Sequence, residues 1–269
     1  MTMDLRQCFE QSTLPTSKWD TYFDAYEALL AGFRQRSVVF VEVGVLGGGS
    51  LEAWRRYFGP AARIIGVDLN ARLKPFLESR GFEIHVGDQA DPAFWEAFYR
   101  MVGPIDVLID DGGHLNRQVW TTVGCTLPHV KDGGLVIIED AHASYLSAFG
   151  NPARSSPVSR AFALVHEINY RSSRIGEGDR ASRAADPEIA ALATHVHSVR
   201  FYESIIALCV DRRLVRASRR ADFGAARNLP DGAVPEDLRN AGLDRPDDVR
   251  GGVLRRLLNA IRRKCRRCA

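Results

Sequence analysis

From residue 38 onward, short β-branched runs alternate with longer stretches of helical periodicity, and this alternation restricts the chain to stacked βαβ units around a parallel sheet. Strands are expected at 38–43, 63–67, 83–86, 106–109 and 135–138, with helices at 50–58, 72–80, 92–102 and 116–130. The last of these helices carries Val119, Val123 and Leu127 at helical spacing. Two further runs, 196–201 and 204–210, leave only Tyr202 and Glu203 between them and read as a closing antiparallel hairpin. Ahead of the first strand, Trp19, Phe23, Tyr26, Leu29, Leu30 and Phe33 share one face of a helix expected over 18–35. The expectation is a doubly wound α/β domain at 38–212, a helical cap at 1–37 and an extension at 213–269.

Two of these strands end abruptly in acid. The fourth runs into Asp110-Asp111-Gly112-Gly113-His114 and the fifth into Glu139-Asp140. Neighbouring parallel strands bring Asp111, Glu139 and Asp140 to one carboxyl edge, where like charges repel unless a cation is present. An oxygen-only donor set without cysteine favours Mg²⁺. His114 lies three residues beyond Asp111 and is the expected general base, with His142, close after Asp140, as its rival. Asp110 is expected to support the turn or the cofactor, and Asp110-Asp111 has the competing reading of a helix cap.

The first strand ends in Glu42-Val43-Gly44-Val45-Leu46-Gly47-Gly48-Gly49-Ser50 and opens a helix, which lets the backbone turn tightly against a ligand. Asp68 ends the second strand, placed for ribose hydroxyls, and Asp88 with Gln89 ends the third, placed for an adenine. The expected cofactor contacts are Glu42, Gly44, Gly47, Ser50, Asp68, Asp88 and Gln89. An acid at position 42 argues against a pyrophosphate and favours an adenosyl sulfonium.

With these motifs in place, the sequence resembles class I S-adenosylmethionine-dependent methyltransferases, and more narrowly the macrocin and mycinamicin sugar O-methyltransferase group. The resemblance rests on the glycine turn, Asp68, Asp88, Thr16-Ser17-Lys18, Asp110 to His114, Ile138-Glu139-Asp140, Ser144-Tyr145 and Phe201 to Ile205, and it covers roughly 14–212. It departs at Ser17, Gly113 and Glu203, where an acid, a serine and an aspartate are usual. It implies a Rossmann-like methyltransferase sheet and the cofactors S-adenosylmethionine and Mg²⁺, with the acids as metal ligands. The implied reaction is methyl transfer to a hydroxyl of a sugar, glycoside or related natural product. A nicotinamide-dependent oxidoreductase and an inactive methyltransferase-fold partner are the competing readings.

Charge narrows the partners. Residues 250–269 hold eight Arg and Lys and no acid, so removing them from the net +3 leaves −5 for the rest, which makes a poor nucleic-acid surface. Membrane contact is expected only through this basic, amphipathic tail, which is alternatively solvated or joins copies of the chain. Five scattered cysteines, no signal-peptide profile and no long apolar run predict a cytoplasmic protein. Cys265 and Cys268 form a CxxC without nearby partners. Stretches 146–160 and 171–187, rich in polar residues and Arg around a helix at 158–170, are expected to be loops or lids.

Overall fold

Five parallel strands form as expected: Val39–Val43 (β1), Arg63–Asp68 (β2), Glu83–Val86 (β3), Ile105–Asp110 (β4) and Val130–Ile138 (β5). Val196–Tyr202 (β6) and Ile205–Val210 (β7) complete one sheet in the order β3-β2-β1-β4-β5-β7-β6, with β7 antiparallel to both neighbours. The strand order reverses between β1 and β4, which opens a crevice beyond their carboxyl ends. The computed structural model describes residues 3–150, 155–170 and 186–215, and those at 3–168 and 186–215 belong to one compact unit. The expected tail helix, the CxxC and most of 171–187 lie outside the described residues.

Strands buried on both faces need apolar residues in both registers, and β1 supplies them. Val41 and Val43 face a core shared with Pro92–Val102 (α5), Asn116–Thr126 (α6), Pro157–Tyr170 (α7) and Pro187–Ala193 (α8). Phe40 faces the other core, built with Leu5–Glu10 (α1), Tyr22–Leu30 (α2), Gly49–Phe58 (α3) and Leu73–Glu78 (α4). Glu42 shares the second face and is fully buried there. Among the described residues no helix is long and apolar enough to cross a membrane.

Several boundaries differ from the sequence expectation. Helix α6 stops at Thr126 instead of running to 130, because Pro128 lacks an N–H and crowds the preceding turn. Strand β5 starts at Val130, which pairs with Ile105, although Lys131-Asp132-Gly133-Gly134 reads locally as a turn. The stretch 141–149, which includes the start of the expected loop 146–160, holds two 3-10 turns, Ala141–Tyr145 and Ser147–Phe149. The hairpin turn falls on Glu203-Ser204, one residue later than expected, with Ser204 at φ 61°.

The largest correction is at the N-terminus. Helix α2 covers only Tyr22–Leu30, followed by a 3-10 turn at Ala31–Phe33, and Lys18 stands outside it. Its buried face carries Tyr22, Ala25, Tyr26, Leu29 and Leu30, whereas Trp19 is 62% exposed. Helix α1 was not expected. It is closed by a capping box between Asp4 and Gln7 and buries Leu5, Cys8 and Phe9.

Candidate active site

The turn after β1 is shaped by three left-handed residues, Gly44, Leu46 and Gly48. The Gly44 N–H donates to the Val67 carbonyl at 2.8 Å and the Val45 N–H to Asp68 Oδ2 at 3.0 Å, so the ends of β1 and β2 are tied together. The Asp111 N–H donates to the Val43 carbonyl at 3.0 Å and ties in β4. Between these turns lies a cavity of about 420 Å³ whose lining includes Gly44, Leu46, Asp68, Leu69, Asp88 and Gly112, and no Lys or Arg. Leu46 and Leu69, 67% and 71% exposed, present apolar surface at its rim.

That lining suits an adenosyl sulfonium. Three acids, Asp68, Asp88 and Asp111, suit hydroxyls and positive charge, two leucines suit a ring, and among the described residues no Lys or Arg lines the cavity to hold a phosphate. Gly44, Asp68, Asp88 and Gln89, expected to contact a cofactor, border the cavity, but Gln89 does not present its amide to it. Gln89 Nε2 donates to Asp110 at 2.9 and 3.1 Å and to Thr122 at 3.1 Å, while Gln89 Oε1 accepts from the Gly113 N–H at 2.8 Å. Glu42, Gly47 and Ser50 are not part of the lining. Ser50 Oγ donates to Glu42 Oε2 at 2.6 Å, and a Cβ on Gly47 would lie 3.0 Å from Pro15. These three residues hold the turn from behind.

Asp110 is buried, and burial raises its carboxyl above the ordinary range while Gln89 and the Gly112 N–H oppose the shift. It supports the turn, as expected. Beyond it, the structure brings Asp111, Glu139 and Asp140 to one edge but divides them into two groups that share Asp111. The outer group is Asp111, His114 and Asp140. His114, at φ 56°, directs Nε2 to within 3.4 Å of Asp140 Oδ2 and 4.0 Å of Asp111 Oδ1, and its buried Nδ1 has no hydrogen-bond partner among the described residues. Asp140 is itself left-handed and accepts from Tyr22 Oη at 2.5 Å. His142 flanks Asp140 from the other side at 3.9 Å, with its Nδ1 against Ser204 Oγ.

The inner group is Glu42, Asp111 and Glu139, and Lys18 fills it. Lys18 Nζ donates to Asp111 Oδ2 at 2.6 Å, to both Glu139 oxygens at 2.9 Å and to Glu42 Oε1 at 3.5 Å, with its side chain 2% exposed. Burial works against the Lys18 charge, but Glu139, Glu42 and Asp111 outweigh it and hold the ammonium protonated. Burial also pushes the Glu139 and Glu42 carboxyls up, with Lys18 opposing in both cases. Tyr26 donates to Glu139, and Trp54 Nε1 donates to Glu42 at 3.2 Å. The outer group offers two partly exposed carboxylates and an imidazole whose ligand atoms lie within 4.8 Å of one another, a donor set that fits a divalent cation.

Sequence reasoning missed Lys18, Tyr22 and Tyr26 as site residues. The signal available was Tyr22 and Tyr26 at i, i+4 on one face of a helix whose partner acids lie 118 and 113 residues away.

Residues 41–141 match the family described as a methyltransferase domain. The 8-demethyl-8-alpha-L-rhamnosyl tetracenomycin-C 2'-O-methyltransferase of Streptomyces olivaceus is 39% identical over 189 residues, covering 64% of this chain and 47% of the relative. Demethylmacrocin O-methyltransferase of Streptomyces fradiae is 30% identical over 203 residues, covering 70% of this chain and 50% of the relative. The chain thus spans about half the length of these relatives. Among solved structures, the MycE methyltransferase from the mycinamycin biosynthetic pathway, in complex with Mg and SAH, superposes with a TM-score of 0.70 at 23% identity, covering 92% of this chain and 61% of that one. Residues 41–141 thus match a methyltransferase-domain family, the chain shares the fold of the MycE methyltransferase, and it resembles the macrocin and mycinamicin sugar O-methyltransferase group.

Proposed function

We propose that the chain carries the catalytic site of an O-methyltransferase that moves a methyl group from S-adenosylmethionine to a hydroxyl of a sugar-bearing natural product, with a divalent cation at the outer acid group. One observation carries this reading. A cavity lined by Asp68, Asp88 and Asp111, with no Lys or Arg among its described lining residues, opens at the same sheet edge as His114 and Asp140. The similar protein from Streptomyces olivaceus, named as a 2'-O-methyltransferase of a rhamnosyl tetracenomycin, supports the acceptor class.

When bound, the sulfonium supplies the methyl electrophile and the cation lowers the pKa of the acceptor hydroxyl. Asp111 and Asp140 would hold the cation, a pair of carboxylates being enough for Mg²⁺. His114 takes the hydroxyl proton on Nε2, and Asp140 stabilises the imidazolium that results. His114 reaches both acids of the outer group, whereas His142 reaches only Asp140, and this favours His114 as the base. Turns fixed by Gly44 and Asp111 set the approach of donor to acceptor, so positioning provides much of the acceleration.

The test is an acceptor screen with labelled S-adenosylmethionine on deoxysugar and rhamnosyl glycosides, with Mg²⁺ or with EDTA. Label on a sugar oxygen that depends on the cation supports the reading. Binding of NAD without S-adenosylmethionine binding would sink it in favour of an oxidoreductase.

A further inference from the structure

Lys18 lies beside the outer acid group, and its placement is unusual in one respect: Asp111 uses one oxygen on each side. Asp111 Oδ2 accepts from the Lys18 ammonium at 2.6 Å, while Oδ1 faces His114 Nε2 at 4.0 Å within the group that includes Asp140. A carboxylate shared in this way is the arrangement that joins two cations in binuclear centres, where the ions sit roughly 3.5–4 Å apart. Here the inner position holds an ammonium. The donor atoms of Glu42, Asp111 and Glu139 are close enough together to hold a metal ion themselves.

We propose that Lys18 is a positioning residue that takes the place of a second metal ion, confining the divalent cation to the outer group of Asp111 and Asp140. The proposal rests on the reading of that outer group as a cation site. An ammonium of fixed charge neutralises part of the buried acid without needing dehydration of a free ion, and it orients Asp111 before any ligand arrives. It also fastens the segment ahead of α2 across the site. That segment is anchored independently, because Thr13 donates to Glu52 through its N–H at 2.7 Å and the Pro15 carbonyl accepts from the Gly49 N–H at 3.3 Å. Lys18 therefore cannot swing away without moving residues that pack on the glycine turn.

The proposal separates charge from shape. Lys18→Met keeps the unbranched stem of the side chain and removes the ammonium, which leaves the inner oxygens open to a metal. Lys18→Arg keeps the charge. Lys18→Met combined with Glu42→Gln removes one donor of the inner group.

The experiment is direct Mn²⁺ titration of the full chain, read as ions bound per chain by electron paramagnetic resonance of the free ion. Wild type and Lys18→Arg are expected to bind one ion, Lys18→Met to gain a second, and the double variant to return to one. Lys18→Met binding the same number of ions with the same affinity as wild type overturns the proposal. Thermal unfolding in EDTA and in Mn²⁺ covers a variant that folds poorly: Lys18→Met should lose stability in EDTA and regain it in Mn²⁺, and equal unfolding in both also overturns it. A wild type that binds no divalent cation, beside a Lys18→Met variant that binds one, would refute the outer cation site while leaving the role of Lys18 standing.

Discussion

A Cβ on Gly44 would sit 2.2 Å from the main-chain carbonyl oxygen of Asp111, so the turn that receives the cofactor and the turn that carries the acids are in van der Waals contact. Gly44 also holds φ +82°, a conformation that L side chains rarely adopt. Gly44→Ala is therefore expected to cost roughly 2–4 kcal/mol of stability, from left-handed strain and overpacking together. It should also weaken binding of S-adenosylhomocysteine. Urea unfolding and calorimetric titration measure the two effects, and a variant normal in both would refute the contact.

His114→Gln is expected to lower the rate of methyl transfer by about 10²–10⁴-fold, the usual contribution of a positioned general base. Cofactor affinity should stay near wild type, because His114 is not among the residues lining the cavity of Asp68 and Asp88. His142→Gln should fall well short of that loss. Single-turnover rates of the two variants decide between them, and a larger loss at His142 would reverse the assignment of the base.

Asp111→Asn and Asp140→Asn are expected to abolish stimulation by Mg²⁺ and to match the residual rate of wild type in EDTA. Binding of S-adenosylhomocysteine should survive both chelation and Asp140→Asn. Loss of cofactor binding on chelation would show that the cation belongs to the cofactor half of the site.

A stability prediction concerns the far end of the sheet. Arg212 donates to the carbonyls of Val130, Leu127 and Pro128 at 2.9, 3.0 and 3.2 Å, to Asp132 Oδ1 at 3.0 Å and through Nε to His195 Nδ1 at 3.0 Å. Burial and the Arg212 charge lower the His195 pKa. The unfolded chain then binds more protons near pH 6 than the folded one, so stability rises with pH through that range and levels off above the ordinary histidine value of about 6.5. Thermal midpoints should fall from pH 7 to pH 5, and less steeply in His195→Gln. Arg212→Ala should cost about 1–3 kcal/mol, because it takes a donor from the part-buried carbonyls of Leu127 and Val130.

The sheet was legible because its strands are apolar in both registers and its turns carry glycine and aspartate, signals that act within a few residues. Asp68, Asp88, Asp111 and His114 were legible for the same reason, each ending a strand or opening a helix. Lys18 was not. Its partners Asp111 and Glu139 lie 93 and 121 residues away, and a lysine ahead of an amphipathic stretch reads as a solvated helix start. Gln89 was assigned to the ligand from its position at a strand end, which shows where a residue sits and not which way its amide turns. Periodicity alone puts Trp19 on the apolar face of the expected helix, but that helix begins three residues later, at Tyr22.

The Gln89 amide, held by Asp110 and Thr122 on one end and by Gly113 on the other, has a mechanical consequence. It stitches the tip of β3 to the loop leading into His114, so the two halves of the crevice share one rigid frame instead of hinging on the ligand. The spacing between the cavity of Asp68 and Asp88 and the acids beside His114 is then written into the polypeptide itself, set when the chain folds.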